Sequence, residues 1–242
     1  MTIRARLGKA LISTAATELT ESALAAGPRV APQTFSDWFW RLVGLSLDGT
    51  VGLPSAQRTT DRALQRHQRI DPAIKSLVRR HVVLASAQGF VTNLGGGLAA
   101  VVGMPANLAG VIMVQTRLIG CVTHLHGYDL DDPRVRTAIV MCLLGEKELK
   151  RHIQRGSLPA APLAVATAPV HDLELSHQVA RHVLSQFVSE VGSGGVISFV
   201  VRRTPILGGG VGAVGDAKAT ARVARCARAH LVDRRLGPAP LR

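Results

Sequence analysis

Residues 82–116 read VVLASAQGFVTNLGGGLAAVVGMPANLAGVIMVQT, a stretch of 35 residues without Asp, Glu, Lys, Arg or His. A helix needs roughly 20 apolar residues to span a bilayer, so the stretch is long enough for one span. Polar residues such as Asn93 interrupt it, however, and Pro105 disfavours one continuous helix. We therefore expect two core helices, buried or partly inserted in a membrane, in preference to a span. The second helix should cover residues 106–124.

Glycines recur every seven residues inside this uncharged stretch. They are Gly89, Gly96, Gly103 and Gly110. Small residues at helical spacing let two backbones approach closely, in lipid or in a protein core. Because aromatic residues make up only 3% of the chain, glycine rather than aromatic bulk is expected to set the packing.

The rest of the chain combines apolar composition with a strong positive charge. It has 242 residues, of which 47% are hydrophobic, and this excludes a disordered chain. The net charge is +13, with +5 in residues 51–100, +7 in residues 201–242 and zero in residues 101–200. Such a skew indicates an anionic partner, either nucleic acid or a lipid surface.

Two predicted helices carry the charge as stripes. Arginines at spacings of three and four follow one helix of about residues 59–67, and a second set follows the last helix, about residues 216–232. These candidates for binding an anionic surface are Arg58, Arg62, Arg66, Arg69, Lys218, Arg222, Arg225 and Arg228. A solvated helix face is the alternative.

The N-terminal part contains an amphipathic pattern over residues 3–26 and then an aromatic cluster. The cluster includes Trp38, Phe39 and Trp40 on a predicted helix of residues 37–47. These rings suit a water–lipid interface. An aromatic lid over the core is an equally good interpretation.

Polar residues in and around the uncharged stretch form a candidate buried cluster. They are Asn107, Gln115, Arg117, Asp129 and Asp216. Arg117 lies within a predicted apolar helix and needs a carboxylate, a carbonyl or a phosphate as partner. We expect a structural pair between Arg117 and one of the aspartates, and a ligand or headgroup site is the alternative.

Sequence motifs for catalysis are weak. Residues 210–215 match G-x-G-x-x-G, but too little chain follows for a dinucleotide-binding unit. No triad, metalloprotease or Cys/His motif is present, and the spacing of His171, His177 and His182 is poor for a metal. We expect no catalytic residue, metal or cofactor, and we expect Cys121, Cys142 and Cys226 to be reduced core thiols.

Several motifs, in order and in register, resemble the EcsC protein family. They are Gly89-Phe90-Val91-Thr92 with Gly95-Gly96, Pro105-Ala106-Asn107 with Gln115 and Arg117, Gly127-Tyr128-Asp129, Val135-Arg136, Cys142-Leu143-Leu144-Gly145, and Pro205-Ile206-Leu207-Gly208-Gly209 with Asp216 and Thr220. The resemblance covers residues 60–232, and Arg202-Arg203-Thr204 replaces a run that usually contains Lys. It implies a bacterial, largely helical protein whose namesake is encoded beside an ABC exporter. It implies no established reaction.

Together these patterns predict an all-α fold, a glycine-rich helical bundle with a central uncharged hairpin. We expect a helical extension over residues 1–55, an EcsC-like domain over 56–235 and a disordered tail over 236–242. The expected function is that of a non-enzymatic accessory protein on the cytoplasmic face of the bacterial membrane, with an anionic surface and possibly a transporter component as partners. A soluble protein binding a lipid or apolar ligand is the alternative, and an enzyme comes third. Nucleic acid is a less suitable partner, because the aromatic interleaving typical of its binding sites is missing.

Overall fold

The computed structural model describes residues 32–49, 54–94, 96–193, 205–232 and 234, and the structural statements below concern these residues. They fold into helices, which confirms the all-α prediction. The helices are α1 Pro32–Asp48, α2 Ala56–His67, α3 Ile70–Leu94, α4 Gly96–Leu125, α5 Pro133–Cys142, α6 Gly145–Gln154, α7 Pro162–Ala166, α8 Leu173–Ser193 and α9 Pro205–His230. The helix predicted over residues 3–26 and the tail over 236–242 lie outside the described residues.

Local capping chemistry sets several of these helix ends. The Ser55 hydroxyl accepts from the Arg58 N–H at 3.2 Å and begins α2. Asp132 caps α5 in the same way, accepting from the Arg134 N–H at 2.8 Å, with a proline in the first turn. Gln68, in the left-handed conformation at φ 55°, ends α2.

Helix α4 lies at the centre of the fold. It contacts α1, α2, α3, α5 and α9, while α3 also packs against α2 and α9. Fully buried side chains such as Leu118 and Val122 on α4 meet Phe39 and Leu42 of α1 in one hydrophobic core. The core therefore includes α1 as well as the later helices.

Gly120 allows α1 to approach α4 closely. A Cβ atom at this position would lie 2.3 Å from Cδ2 of Leu47 on α1. Gly120 falls outside the seven-residue glycine period, so its packing role was not predicted. Among the predicted packing glycines, Gly110 is buried, and Gly89, Gly96 and Gly103 fall within α3 and α4.

Two helix starts differ from the sequence expectation. Helix α4 begins at Gly96 and continues through Pro105, and α9 begins at Pro205 and includes the glycines of residues 210–215. Proline and glycine are unfavourable inside a helix, but packing against neighbouring helices overrides such local preferences. The uncharged stretch thus occupies the second half of α3 and most of α4. Of the helices that the structure describes, none has the combination of length and apolarity required to span a membrane.

Candidate functional site

Arg117 lies at the junction of α1, α2 and α4, and its side chain is only 7% exposed. Its Nη1 donates to the Ser46 carbonyl at 3.1 Å. Its Nη2 donates to the Thr59 hydroxyl at 2.7 Å and to the Ser55 carbonyl at 3.3 Å, and it also contacts the Pro54 carbonyl. The guanidinium therefore joins the end of α1, the start of α2 and the middle of α4.

Among the described residues, three backbone carbonyls and the Thr59 hydroxyl accept the hydrogen bonds of this buried charge. Burial lowers the pKa of Arg117 from its ordinary value. Asp129, one of the two expected partners, is exposed, and its Oδ1 accepts from the Asp131 N–H at 2.9 Å. Asp129 therefore does not pair with Arg117. The described partners of Arg117 form a carbonyl cage, and a carbonyl was one of the three kinds of partner expected from the sequence.

Of the remaining residues of the predicted polar cluster, Gln115 is the one whose side chain the structure describes. Gln115 is buried on α4 and is absent from the hydrogen bonds of Arg117. The side chains of Asn107 and Asp216 lie outside the described part of the structure. Arg117 has a structural contact set, and no ligand site is assembled around it by the described side chains.

The first basic stripe is exposed on and after α2. Arg58, Arg62 and Arg66 lie on α2, and Arg69 lies in the bend that leads to α3. All four side chains face solvent. Asp61 is the acidic residue on the same helix, and it pairs with His124 at 3.5 Å. No described carboxylate pairs with the four arginines.

The second stripe is exposed on the last turns of α9. Its members Lys218, Arg222, Arg225 and Arg228 all face solvent. The aliphatic stem of Arg222 packs against Gly145, whose φ of +73° and lack of a Cβ leave space for it. Arg228 donates to Asp71 at 3.3 Å, so the end of α9 lies beside the start of α3.

Helix α3 connects the two stripes. Asp71, the partner of Arg228, follows Arg69 by two residues, so the stripes approach each other at the α2–α3 bend. From Asp71, residues at four-residue intervals on α3 are Lys75 and Arg79, which are both exposed and share one helix face. We call the exposed cations of α2, α3 and α9 together the basic surface.

The basic surface has few ion pairs compared with the helices from α5 to α8. There, five described cations are paired, in Arg134–Asp132, Arg136–Asp48, Lys150–Glu146, Arg151–Glu148 and Arg181–Glu174, while the exposed Lys147 and Arg155 form no ion pair with a described carboxylate. Among the described side chains of the basic surface, Arg228 alone forms an ion pair, with Asp71. The positive charge of these helices is therefore available to an external anion.

Two large apolar side chains lie at one end of the basic surface. Val83 is 60% exposed and Leu84 is 40% exposed, one turn beyond Arg79 and Arg80 on α3. They belong to the uncharged stretch, and its composition alone did not distinguish exposed from buried positions. The four-residue spacing from Lys75 through Arg79 to Val83 is the signal that could have placed Val83 on the exposed face.

The aromatic cluster of α1 contributes to the core. Phe39 is fully buried, Trp38 is nearly so, and Trp40 packs against the core from a half-buried position. Phe39 and Trp40 make an edge-to-face contact with ring centroids 5.9 Å apart. The rings of Trp38 and Phe39 therefore pack in the core, and that of Trp40 stays partly exposed.

A cleft of about 290 Å³ lies between α5, α7 and the start of α8. Its polar groups satisfy one another. Arg134 is held by Asp132 and the Ala168 carbonyl, and Ser176 bonds both Thr137 and His171 at 2.8 Å. Among the described residues, no group of three or more His, Cys, Asp or Glu side chains is placed to hold a metal. Cys121, Cys142 and Cys226 are buried free thiols, as expected.

Comparison with known proteins gives one match. No curated protein and no solved structure matches the chain. A family match covers residues 9–236, and it therefore begins well before the range that the quoted motifs span. Because this match includes most of the chain, the protein belongs to the EcsC protein family.

Proposed function

We propose that this protein binds the anionic surface of a membrane through the basic surface. The observation that carries the proposal is the set of exposed, uncompensated cations on α2, α3 and α9, next to the exposed Val83 and Leu84. A cation near an anionic bilayer gains about 1 kcal/mol. Apolar side chains at the edge of such a surface can enter the headgroup region and add a contribution that salt does not screen.

The proposed location is the cytoplasmic face of the bacterial cell membrane, in peripheral association. The proposed role is that of a non-enzymatic accessory protein beside a transporter of the ABC type or in envelope maintenance. This role depends on family membership, whereas membrane binding is argued from the residues of this chain. The two parts of the proposal are therefore tested separately.

Vesicle flotation with charge variants tests membrane binding. The first variant, Arg58→Gln with Arg62→Gln and Arg66→Gln, removes three uncompensated cations of α2. The second, Lys218→Gln with Arg225→Gln, removes two cations of α9. It leaves Arg222 in place because its side chain packs against Gly145, and Arg228 because it pairs with Asp71. Arg151→Gln with Arg181→Gln is the matched control, since both arginines are exposed but already paired.

We expect the triple variant to bind vesicles containing phosphatidylglycerol about a hundredfold more weakly than the wild type, at about 1 kcal/mol per cation. The control variant should bind like the wild type. Equal losses in the control and in the triple variant would show that only total charge matters and would contradict the proposed surface.

A further inference from the structure

Two histidine rings stack on each other where α6 meets α8. The rings of His152, in the last turn of α6, and His182, in the middle of α8, have centroids 4.3 Å apart and an interplanar angle of 43°. Both side chains are partly exposed, so protons can reach the pair from solvent. Histidine gains its charge near about pH 6.5, and two imidazolium rings this close repel each other. The stack is therefore suited to only some protonation states.

Hydrogen bonds determine how each ring can accept a proton. The Ser157 hydroxyl donates to the His152 carbonyl at 3.1 Å, so its oxygen accepts from the ring at 2.8 Å, and Nδ1 of His152 carries the proton. In acid, the second proton binds Nε2 of His152 without breaking the contact with Ser157. His182 differs, because its buried Nε2 has no hydrogen-bond partner in the described part of the chain. A charged His182 would have an Nε2–H without an acceptor, which is unfavourable while the rings are stacked.

The described charges that influence His152 belong to α6 and its C-terminal end. Burial and the ring of His182 lower the pKa of His152, Arg155 adds to this effect, and Glu148, one turn earlier on α6, opposes it. Glu148 is also paired with Arg151 at 2.7 Å. Its carboxylate is therefore shared between a permanent cation and the ring pair.

The charges that neighbouring helices bring toward this region are paired or lie elsewhere. On α8, the adjacent Arg181 is exposed and pairs with Glu174 at 2.9 Å. From α9, His230 and Arg225 influence Glu146 at the other end of α6. A second proton on the ring pair is thus not offset by a free carboxylate among the described side chains.

The first turns of α8 are fixed to α5 and α1. The Ser176 and Thr137 hydroxyls bond at 2.8 Å, and Ser36 Oγ bonds Nδ1 of His177 at 3.0 Å. Neither contact requires a neutral ring, because a protonated His177 can donate to the Ser36 oxygen. This part of α8 should therefore stay in place in acid.

The following turns of α8 are connected to α6 by side chains. The closest backbone approaches of α8 among the described helices are to α1 and α5. Besides the ring stack, Gln178 donates to the Ser157 carbonyl at 3.0 Å, and Gln186 donates to the Leu144 carbonyl at 3.5 Å. Val183 of the same turns is buried in the core. The ring stack is thus one of few contacts between the two helices.

We propose that the His152–His182 pair is a pH-sensitive latch that holds the middle of α8 against α6. With one proton on the pair the rings stay stacked, because a charged ring is attracted to the face of a neutral one. A second proton puts two positive charges in contact, and the middle of α8 separates from α6. Buried side chains of these turns, such as Val179 and Val183, then become accessible to solvent. The latch is independent of the basic surface, so either proposal can fail without the other.

Amide hydrogen exchange of the full-length protein at pH 7.5 and pH 5.0 measures this opening. The ratio of the protection factors in residues 178–186 of α8 to those in residues 118–125 of α4 cancels global unfolding, which exposes both segments. Separated rings bind protons more readily than stacked rings, so acid favours opening. We expect the ratio to fall by about tenfold or more between pH 7.5 and pH 5.0.

A variant that keeps the stack but not the charge isolates the role of the latch. His182→Phe retains an aromatic ring beside His152, cannot be protonated, and replaces the buried Nε2 that has no partner. In this variant the ratio should change by less than about twofold between the two pH values. His67→Phe, at a partly exposed histidine in the last turn of α2, is the control and should respond like the wild type.

A second measurement uses the wild type and does not depend on a variant that folds. The ring resonances of His152 and His182 should titrate in two separate steps, because a proton on one ring disfavours a proton on the other. Independent titration of the two rings would overturn the latch. A protection ratio that does not change with pH in the wild type, or that falls equally in His182→Phe, would overturn it as well.

Discussion

Arg117 carries a charge into the core, and none of the described carboxylates pairs with it. Its donors reach the Ser46, Pro54 and Ser55 carbonyls and the Thr59 hydroxyl, which lie at the end of α1 and the start of α2. Carbonyls at a helix end have no partner within that helix, so a guanidinium fork suits them. At the residue scale, this contact set explains why an arginine follows directly on the uncharged stretch.

Arg117→Gln should destabilise the fold by about 3 kcal/mol, since a shorter side chain leaves several buried carbonyls without a donor. Urea unfolding followed by circular dichroism measures this change. Arg58→Gln, at an exposed arginine, should change the free energy of unfolding by less than about 0.5 kcal/mol. Similar values for the two variants would contradict a structural role for Arg117.

His81 should make the folded state sensitive to acid. The pKa of its imidazole falls from 6.5 to about 4 on burial, so between these values the unfolded chain binds a proton that the folded chain does not. The contribution of His81 to the free energy of unfolding is complete above pH 6.5. It decreases as the pH falls, and the decrease is about 3 kcal/mol at pH 4. Partial burial and the neighbouring His182 also lower the pKa of His152, with the same sign of effect.

Urea titrations at pH 7.5 and pH 4.5 test this prediction. In His81→Asn, the side-chain amide can still donate to the Leu77 carbonyl, but the group no longer titrates. We expect this variant to lose much less stability in acid than the wild type, while His152→Asn keeps most of the loss. An unchanged acid dependence in His81→Asn would exclude His81 as the source.

At the scale of elements, the contact between α1 and α4 depends on Gly120. Gly120→Ala would place a Cβ 2.3 Å from Leu47 and should destabilise the fold by about 1–3 kcal/mol through overpacking. Gly44→Ala, also in a helix, meets no atom closer than 3.6 Å and should stabilise the fold by up to about 1 kcal/mol. Thermal unfolding of both variants gives the comparison. Destabilisation by Gly44→Ala alone would contradict the packing described.

Helix α3 should contribute the part of membrane binding that resists salt. Val83→Ser with Leu84→Ser removes two exposed apolar side chains beside the basic surface. We expect this variant to bind vesicles roughly tenfold more weakly at high salt. Each side chain should contribute less than the about 1.5–3 kcal/mol that complete burial provides. Val170→Ser with Leu173→Ser is the control, since both residues are exposed but lie away from α3. A larger loss in the control would place the apolar contact elsewhere.

At the scale of the whole molecule, paired and unpaired surface charges are distributed unevenly over the described helices. Five described cations between α5 and α8 form ion pairs, whereas on α2, α3 and α9 Arg228 alone among the described exposed cations is paired. Because α3 contacts both α2 and α9, the two charged blocks of sequence come together in space. The described cations of these two blocks thereby lie in one region of the protein.

The sequence predicted the parts of this arrangement that have local signals. The spacing of charged residues identifies the stripes on α2 and α9, whereas α2 itself, capped by Ser55, begins before the predicted start at about residue 59. The partners of Arg117 were not predictable, because backbone carbonyls leave no mark in the sequence. The burial of Trp38 and Phe39 was not predictable either, since the same residues suit a lid or a membrane interface. Gly120 was missed because its close neighbour, Leu47, is distant in sequence.

The most direct test of the central claim is the partition of the wild-type protein between buffer and vesicles that differ only in lipid charge. At low salt, we predict strong flotation with vesicles containing phosphatidylglycerol and little with phosphatidylcholine alone, and a large decrease in the first as salt rises. Equal flotation with both kinds of vesicle, or none with either, would contradict the account.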